Sequence, residues 1–284
     1  MLRAYYAALK PERTYANVMT TSAGFLFASR WHFAWSLLLA AIAGTTLIVM
    51  SACAVNNCAD RNIDAQMPRT KKRATVTGVV PIRRLTILAV VLGISGFTVL
   101  ALRVNWLTVL LGLIAYVDYV VLYAWSKRTT PWSTLIGTVS GAVPLVAGYT
   151  AVTNKFDITA LLLGLVMIFW QMVHFYAIAI FRRNDYAAAH LPVWSVQYGV
   201  RNTQMWMIGY TLLYLLAVIG LSLFGHAGWL FASITGILGL YWLYLGTKGF
   251  YHLDPTAWAR SMFGFSLIAL LALSAAIVVL PVLT

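Results

Sequence analysis

Two aspartates and one asparagine have the spacing most able to do chemistry. Asn56, Asp60 and Asp64 form the pattern Asn-x-x-x-Asp-x-x-x-Asp, in a chain that has only seven acidic residues. Residues four apart on a helix share one face and rise about 6 Å per step, so three oxygen ligands would point the same way. Mg²⁺ binds one or two carboxylates together with substrate phosphate oxygens and water. The pattern therefore predicts a magnesium site, with these three residues as ligands, that holds a diphosphate.

A basic segment follows the acidic pattern. Residues 69–73 read Arg-Thr-Lys-Lys-Arg, and these side chains could hold phosphate oxygens, arginine through a planar fork and lysine as a point charge. The alternative is that the aspartates pair with neighbouring bases at a solvated helix end, while the basic run only sets membrane orientation. For the basic run by itself we favour that alternative. Acidic groups in register at a membrane boundary are costly to keep, and they indicate function.

Membrane helices are the elements that must position these residues. The chain of 284 residues is 61% hydrophobic and 10% charged, whereas soluble domains carry roughly 25% charged residues. Its long apolar runs lack the alternating polar period of barrel strands. We predict one all-α domain, residues 1–284, with nine transmembrane helices around a central cavity open toward the cytoplasmic side. The runs are Thr14–Ala28, Phe33–Cys53, Leu85–Leu102, Trp106–Tyr123, Trp132–Val152, Ile158–Ile180, Met205–Phe224, Gly228–Leu245 and Met262–Leu283.

The basic residues predict the orientation in the membrane. All 20 lysines and arginines except Arg30, Arg103 and Lys155 fall on one side of the nine runs, and by the positive-inside rule that side is the cytoplasm. The N-terminus is then cytoplasmic and the C-terminus outside, as in a bacterial inner membrane. Orientation accounts for the net charge of +13, so no nucleic-acid partner is expected. The long cytoplasmic connections, about 54–84 and 181–204, are expected to carry function.

Two motifs carry a family resemblance. The acidic pattern at 56–64, followed by Arg-Thr-x-x-Arg at 69–73, resembles the first signature of the UbiA superfamily of intramembrane prenyltransferases, whose members have nine transmembrane helices. Tyr-x-x-x-Lys-Arg at 123–128 is similar to a superfamily element that helps to bind the diphosphate. The resemblance implies a magnesium-dependent enzyme whose catalytic residues are Asp60, Asp64 and Lys127. The implied substrate-binding residues at this end are Arg69, Arg73, Tyr123 and Arg128.

Three longer blocks resemble one branch of that superfamily, the heme O synthases. They are Lys127–Pro131, Gly141–Pro144 and the stretch Trp170–Pro192. This resemblance implies farnesyl diphosphate and heme b as substrates, heme O as product, and a terminal oxidase or heme A synthase as protein partner. It also implies substrate contacts from Gln171, His174 and Asp185. Ala189 stands where other superfamily members complete a second Asp-x-x-x-Asp, so the number of metals is left open.

Two other functions fit parts of the sequence. A quinone-type aromatic prenyltransferase would share the acidic pattern, although the block Trp170–Pro192 argues against it. A heme carrier or transporter would use the intramembrane groups Asp118 and His174 and would not need Asp60 and Asp64 in register. His174 is equally well explained as a core histidine with satisfied hydrogen bonds or as a contact to heme. The role of Asp118 is left open.

Overall fold

Nine long helices form the bundle in the computed structural model, which describes residues 1–32, 34–225 and 227–283. They are α1 (Pro11–Ser29), α2 (Trp35–Ala59), α3 (Ile82–Arg103), α4 (Trp106–Thr129), α5 (Ser133–Thr153), α6 (Ile158–Phe181), α7 (Gly199–Phe224), α8 (Trp229–Lys248) and α9 (Pro255–Leu283). The short helices are Leu2–Ala8, Arg61–Gln66, Arg183–Ala188, Trp194–Gln197 and the 3₁₀ turn Gly249–Tyr251. No strand occurs in the three described ranges.

Eight of these helices, all but α1, are long and apolar enough to cross a membrane. The helix α1 falls short because its first turn is polar and contains Glu12 and Arg13. The predicted all-α membrane bundle is confirmed, with eight of the nine crossings meeting the criteria of length and composition in the described part of the chain. The ninth crossing and the sides of the two termini stay predictions. The predicted start of the second run, Phe33, lies outside the described residues.

Several helices extend beyond the apolar runs that predict them. The helix α2 reaches Ala59 rather than Cys53, and α4 reaches Thr129 rather than Tyr123. Once a helix is nucleated its hydrogen bonds continue into polar sequence, whereas apolarity records only where lipid lies. The connections predicted at 54–84 and 181–204 are therefore shorter, at 60–81 and 182–198, and both contain short helices.

Backbone contact between α1 and α5 fixes where α1 lies. An added Cβ on Gly24 of α1 would be 2.0 Å from the Leu145 carbonyl oxygen, and one on Gly148 of α5 would be 2.0 Å from the Thr21 carbonyl oxygen. Small residues allow such close approach between membrane helices. The first turn of α1, which carries Arg13, is consequently held at a fixed position relative to α5.

The two longer connections meet at one end of the bundle. Met67 from the first connection is buried against Ala189 and Leu191 from the second, and Ile63 and Tyr186 pack around them. This small apolar cluster joins segments more than 100 residues apart in sequence, as their numbers show. The connections therefore form one layer beside the polar end of α2.

Candidate active site at the end of α2

The acidic pattern forms one buried face. The helix α2 ends at Ala59, but Asp60 N–H still donates to the Asn56 carbonyl at 2.9 Å, and Asp64 N–H donates to the Asp60 carbonyl at 2.8 Å. Helical spacing thus continues into the short helix Arg61–Gln66. The exposed fractions of Asn56, Asp60 and Asp64 are 3%, 9% and 2%. The structure places the three side chains together at a buried membrane-helix end.

Two cations from the end of α4 reach the first carboxylate. Lys127 forms a salt bridge with Asp60, with only 12% and 13% of the two side chains exposed. Arg128 Nη2 lies 3.5 Å from Asp60 Oδ1 and donates to the Ala59 carbonyl at 2.8 Å. The Tyr-x-x-x-Lys-Arg motif therefore lies against the acidic face, although the two segments are more than 60 residues apart in sequence.

A π-helical turn inside α4 rotates the last part of the helix, which carries Lys127 and Arg128. It covers Asp118–Leu122 and separates the α-helical parts Trp106–Val117 and Tyr123–Thr129. A π turn adds one residue to the helical turn and rotates everything after it, and such turns are frequent at functional sites. Asp118, at its start, is buried and accepts the Ser140 backbone N–H at 3.0 Å. That bond links the turn to α5.

The second carboxylate is held by the first connection. Arg73 Nη1 is 2.6 Å from Asp64 Oδ2 and 3.5 Å from Asn57 Oδ1. The Thr70 hydroxyl donates to the Asp64 carbonyl at 2.9 Å, which fixes the connection beside the helix. Arg69 is exposed, and no ion pair joins it to either aspartate in the described part of the chain. The structure thus brings Arg73 to the acidic face and leaves Arg69 at the surface.

Three polar groups that the motifs did not indicate as site residues also reach this face. Lys10 Nζ donates to Asn56 Oδ1 at 2.8 Å, and Arg13 donates to the Tyr119 hydroxyl, which is 3.4 Å from the same Asn56 oxygen. Burial and, to a lesser extent, the nearby Arg13 charge lower the pKa of Lys10 to about 7. The one sequence feature that could have indicated these groups is a lysine and an arginine on either side of Pro11 at the start of α1.

Aromatic rings lie beside these cations. The rings of Tyr119 and Tyr123 stack with centroids 5.6 Å apart and an interplanar angle of 12°. Arg13 lies over the Tyr119 ring at 5.8 Å, and Lys127 lies over the Tyr123 ring at 5.4 Å. A Cβ at Gly137 would be 2.7 Å from the Tyr123 ring, so this glycine leaves the space that the ring fills. The ring faces are thus positioned to stabilise positive charge.

The charges at this end favour an anionic ligand. The two carboxylates and the neighbouring Asn56 lie beside five basic side chains, which are Lys10, Arg13, Arg73, Lys127 and Arg128. The excess of positive charge suits a diphosphate. Within the described ranges no three His, Cys, Asp or Glu side chains gather as a metal site. The oxygen donors of Asn56, Asp60 and Asp64 fit Mg²⁺ when substrate phosphate oxygens complete the coordination.

The remaining predicted site residues lie on or after α6. Gln171 is buried, and its Nε2 donates to the carbonyls of Thr138 at 3.2 Å and Met167 at 3.1 Å, so its amide nitrogen joins α6 to α5. His174 is half-buried and bonds to α9. Asp185 lies 3.5 Å from Arg182 in the second connection, in a pair that is partly exposed. No described ion pair connects Asp185 with the acidic face of α2.

Comparison with known proteins agrees with the fold and the motifs. Residues 17–274 match the UbiA prenyltransferase family. The chain belongs to this family. A protoheme IX farnesyltransferase of Pseudomonas savastanoi pv. phaseolicola is 42% identical over 274 residues, covering 96% of this chain and 93% of that relative. Protoheme IX farnesyltransferase 1 of Shewanella sp. (strain W3-18-1) is also 42% identical, with 96% of this chain and 87% of the relative covered.

Solved structures share the UbiA fold at much lower identity. One described as digeranylgeranylglyceryl phosphate synthase has a TM-score of 0.84 at 14% identity and covers 100% of this chain and 99% of its own. A UbiA homolog from Archaeoglobus fulgidus bound to GPP and Mg²⁺ has a TM-score of 0.73 at 13% identity, with 97% and 99% covered. The predicted UbiA-type bundle is confirmed, and this UbiA-family chain is a multi-pass integral membrane protein.

Proposed function

We propose that this chain transfers the farnesyl group of farnesyl diphosphate to a vinyl group of heme b and so forms heme O. The observation that carries the proposal is the buried pair of carboxylates beside five basic side chains at the end of α2, an arrangement that suits a diphosphate leaving group. The acceptor and the chain length of the donor are taken from the names of the two bacterial relatives, to which 96% of the chain aligns at 42% identity.

Mg²⁺ would be held by Asn56, Asp60 and Asp64. When bound, the ion supplies positive charge at the diphosphate oxygens. The Archaeoglobus fulgidus homolog, which contains GPP and Mg²⁺, supports the pairing of a metal with a diphosphate. In this chain Lys127 and Arg73 contact the two carboxylates. Entry of the substrate therefore requires these cations to turn from the aspartates toward the phosphate oxygens.

Cleavage of the carbon–oxygen bond leaves its electron pair on the diphosphate. Lys127 and Arg128 from α4, with Arg73 from the first connection, stabilise that charge through charge-assisted hydrogen bonds. The farnesyl C1 becomes part of an allylic cation. As Lys127 and Arg13 turn to the phosphates, the faces of Tyr123 and Tyr119 that these cations covered become available to the new positive charge.

Attack by a heme vinyl carbon on C1 forms the new carbon–carbon bond and leaves positive charge on the carbon next to the porphyrin ring. Water adds at that carbon and loses a proton, which completes a hydroxyethylfarnesyl side chain. Water must be kept from the allylic cation until the vinyl group has attacked. The apolar walls of the helix bundle exclude it, and the charged groups assigned to the diphosphate lie at one end.

The proposed location follows from the basic connections. With these connections in the cytoplasm, the N-terminus is cytoplasmic, the C-terminus is outside, and the cavity opens to the cytoplasmic side of a bacterial inner membrane. Both diphosphate substrate and heme b are then supplied from that side. A terminal oxidase or a heme A synthase would receive the product.

The proposal predicts a measurable product. Purified protein in detergent, given heme b, farnesyl diphosphate and Mg²⁺, is expected to form a heavier and more strongly retained heme, detected by chromatography with mass analysis. EDTA should abolish its formation, because the carboxylates then lack the ion that pairs them with the diphosphate. Parallel reactions use geranyl and geranylgeranyl diphosphates as donors and a phenolic acceptor. Unmodified heme together with a prenylated phenol would contradict the acceptor assignment.

A second prediction concerns the leaving group. Lys127→Gln is expected to lower kcat/KM for farnesyl diphosphate about 10–100-fold, because it removes one charge-assisted hydrogen bond. Lys127→Arg, which keeps the positive charge, should retain more activity. The matched control is Lys155→Gln, at an exposed lysine in the α5–α6 connection. Equal losses for Lys127→Gln and Lys155→Gln in steady-state assays would remove Lys127 from the mechanism.

A further inference from the structure

Ser266 of α9 is the centre of three hydrogen bonds around His174 of α6. Its hydroxyl oxygen lies 2.7 Å from His174 Nδ1 and 2.5 Å from the Phe263 carbonyl oxygen. Its own carbonyl oxygen accepts the Trp170 indole N–H at 2.8 Å. Ser266 is fully buried, and its position in the sequence carries no motif. The serine therefore ties α9 to two aromatic side chains of α6 at once.

These distances decide which imidazole nitrogen carries the proton. The Phe263 carbonyl can only accept, and two oxygens 2.5 Å apart repel each other unless a proton lies between them, so the Ser266 hydroxyl donates to that carbonyl. The hydroxyl oxygen must then accept from His174, which places the proton on Nδ1. In a neutral imidazole the other nitrogen, Nε2, keeps a free lone pair. No residue in the described ranges bonds to Nε2.

Aromatic rings fix the plane of this imidazole. Trp170 stacks on it at 4.9 Å with an interplanar angle of 22°, and Phe263 lies at 4.9 Å and 37°. Phe175 meets it edge-on at 5.2 Å. His174 lies inside the membrane-spanning helix Ile158–Phe181. An ionisable side chain is costly to place there, and its presence indicates a function. The ring makes one hydrogen bond, through Nδ1, and its aromatic neighbours restrict its rotation. Its Nε2 is therefore available to bind a ligand.

We infer that Ser266 is a positioning residue that orients His174 so that Nε2 binds the iron of the heme substrate. The inference rests on the proposed function, since it requires heme as the acceptor. Histidines that bind metals usually donate their other N–H to a fixed acceptor, which sets the tautomer and the ring orientation. Here that acceptor is a hydroxyl held by a backbone carbonyl. Ligation at the porphyrin centre leaves the vinyl groups at its edge free to meet the farnesyl carbon.

The test is a titration of ferric heme b into purified protein in detergent, followed by optical and electron paramagnetic resonance spectra. The wild type should show an imidazole-ligated iron. His174→Ala should lose that signature and regain it when imidazole is added. Ser266→Ala should raise the Kd for heme about 10–100-fold, whereas Ser266→Thr, which keeps a hydroxyl, should remain near the wild type. Ser274→Ala, at another buried serine of α9, is the matched control and should change nothing.

Each result decides something. A heme spectrum that is the same in the wild type and in His174→Ala would overturn iron ligation, and an unchanged heme Kd in Ser266→Ala would overturn the positioning role. Formation of heme O is measured in the same preparations. Heme O without an imidazole signature rejects this inference and keeps the proposed function. An imidazole signature without any heme O, in the presence of farnesyl diphosphate and Mg²⁺, rejects the proposed function and leaves a heme-binding protein.

Discussion

Asp60→Asn and Asp64→Asn are each expected to lower kcat for farnesyl transfer about 10²–10³-fold, the loss typical when a group that stabilises transition-state charge is removed. Asparagine keeps the size of the side chain but removes the negative charge that a magnesium–diphosphate complex needs. Both positions are buried, so the bulk solvent cannot replace the lost ligand. The measurement is heme O formation at saturating substrates, with a Mg²⁺ titration for each variant.

A loss of structure must be separated from this loss of catalysis. Asp60→Asn leaves Lys127 beside a neutral amide, and an unpaired charge destabilises a buried site. The double variant Asp60→Asn with Lys127→Gln removes both charges and is expected to regain thermal stability while remaining inactive. Asp254→Asn is the matched control, because asparagine caps a helix about as well as the aspartate that caps α9. Full activity in Asp60→Asn or Asp64→Asn would refute the metal site.

Gly148→Ala is expected to have the largest effect on folding, with a loss at the upper end of roughly 1–3 kcal/mol. The added Cβ would lie 2.0 Å from the Thr21 carbonyl oxygen, and backbone cannot move aside as a flexible side chain would. The helices α1 and α5 must separate. Since α1 carries Arg13 and follows Lys10, the cationic side of the site moves with it, so both the thermal midpoint and the affinity for farnesyl diphosphate should fall.

The control for this change is a glycine with space around it. Gly264→Ala in α9 adds a Cβ that has no neighbour within 4 Å, and alanine favours a helix more than glycine does. Its thermal midpoint should stay near the wild-type value.

Gly24→Ala places a Cβ in the same α1–α5 contact from the α1 side. The loss in the Gly24→Ala/Gly148→Ala double variant should be smaller than the sum of the two single losses, because one separation relieves both clashes. Strict additivity would contradict a shared contact.

Local rules accounted for the helices and for the shared acidic face. Helical periodicity alone puts Asn56, Asp60 and Asp64 on one side, and the backbone bonds across Asp60 keep that spacing. Apolar runs predicted every long helix, and the errors were at helix ends, as at Ala59 and Thr129. The helix ends were misplaced because helical hydrogen bonding continues past the edge of the lipid, whereas an apolar run marks only the part of the helix that lies in lipid.

The bonding partners of Gln171 are an example of what residue type alone does not indicate. The sequence offers an intramembrane amide in a block that resembles heme O synthases, and a substrate contact is the natural prediction. In the structure its Nε2 donates to two backbone carbonyls, and a Cβ on Gly141 would lie 2.0 Å from its Oε1. These bonds depend on the space left by the neighbouring helix, which residue type does not show, and contact between Gln171 and a substrate stays a prediction.

The sequence by itself determined that this is an all-helical membrane protein with an acidic face at the end of its second helix, because both follow from local periodicity and hydrophobicity. The tertiary structure decided which cations meet that face. Lys10, Arg13, Lys127 and Arg73 reach it from the start of α1, the end of α4 and the first connection. The approach of Lys10 and Arg13 depends on the glycine contact between α1 and α5, and no local pattern encodes which helices will touch.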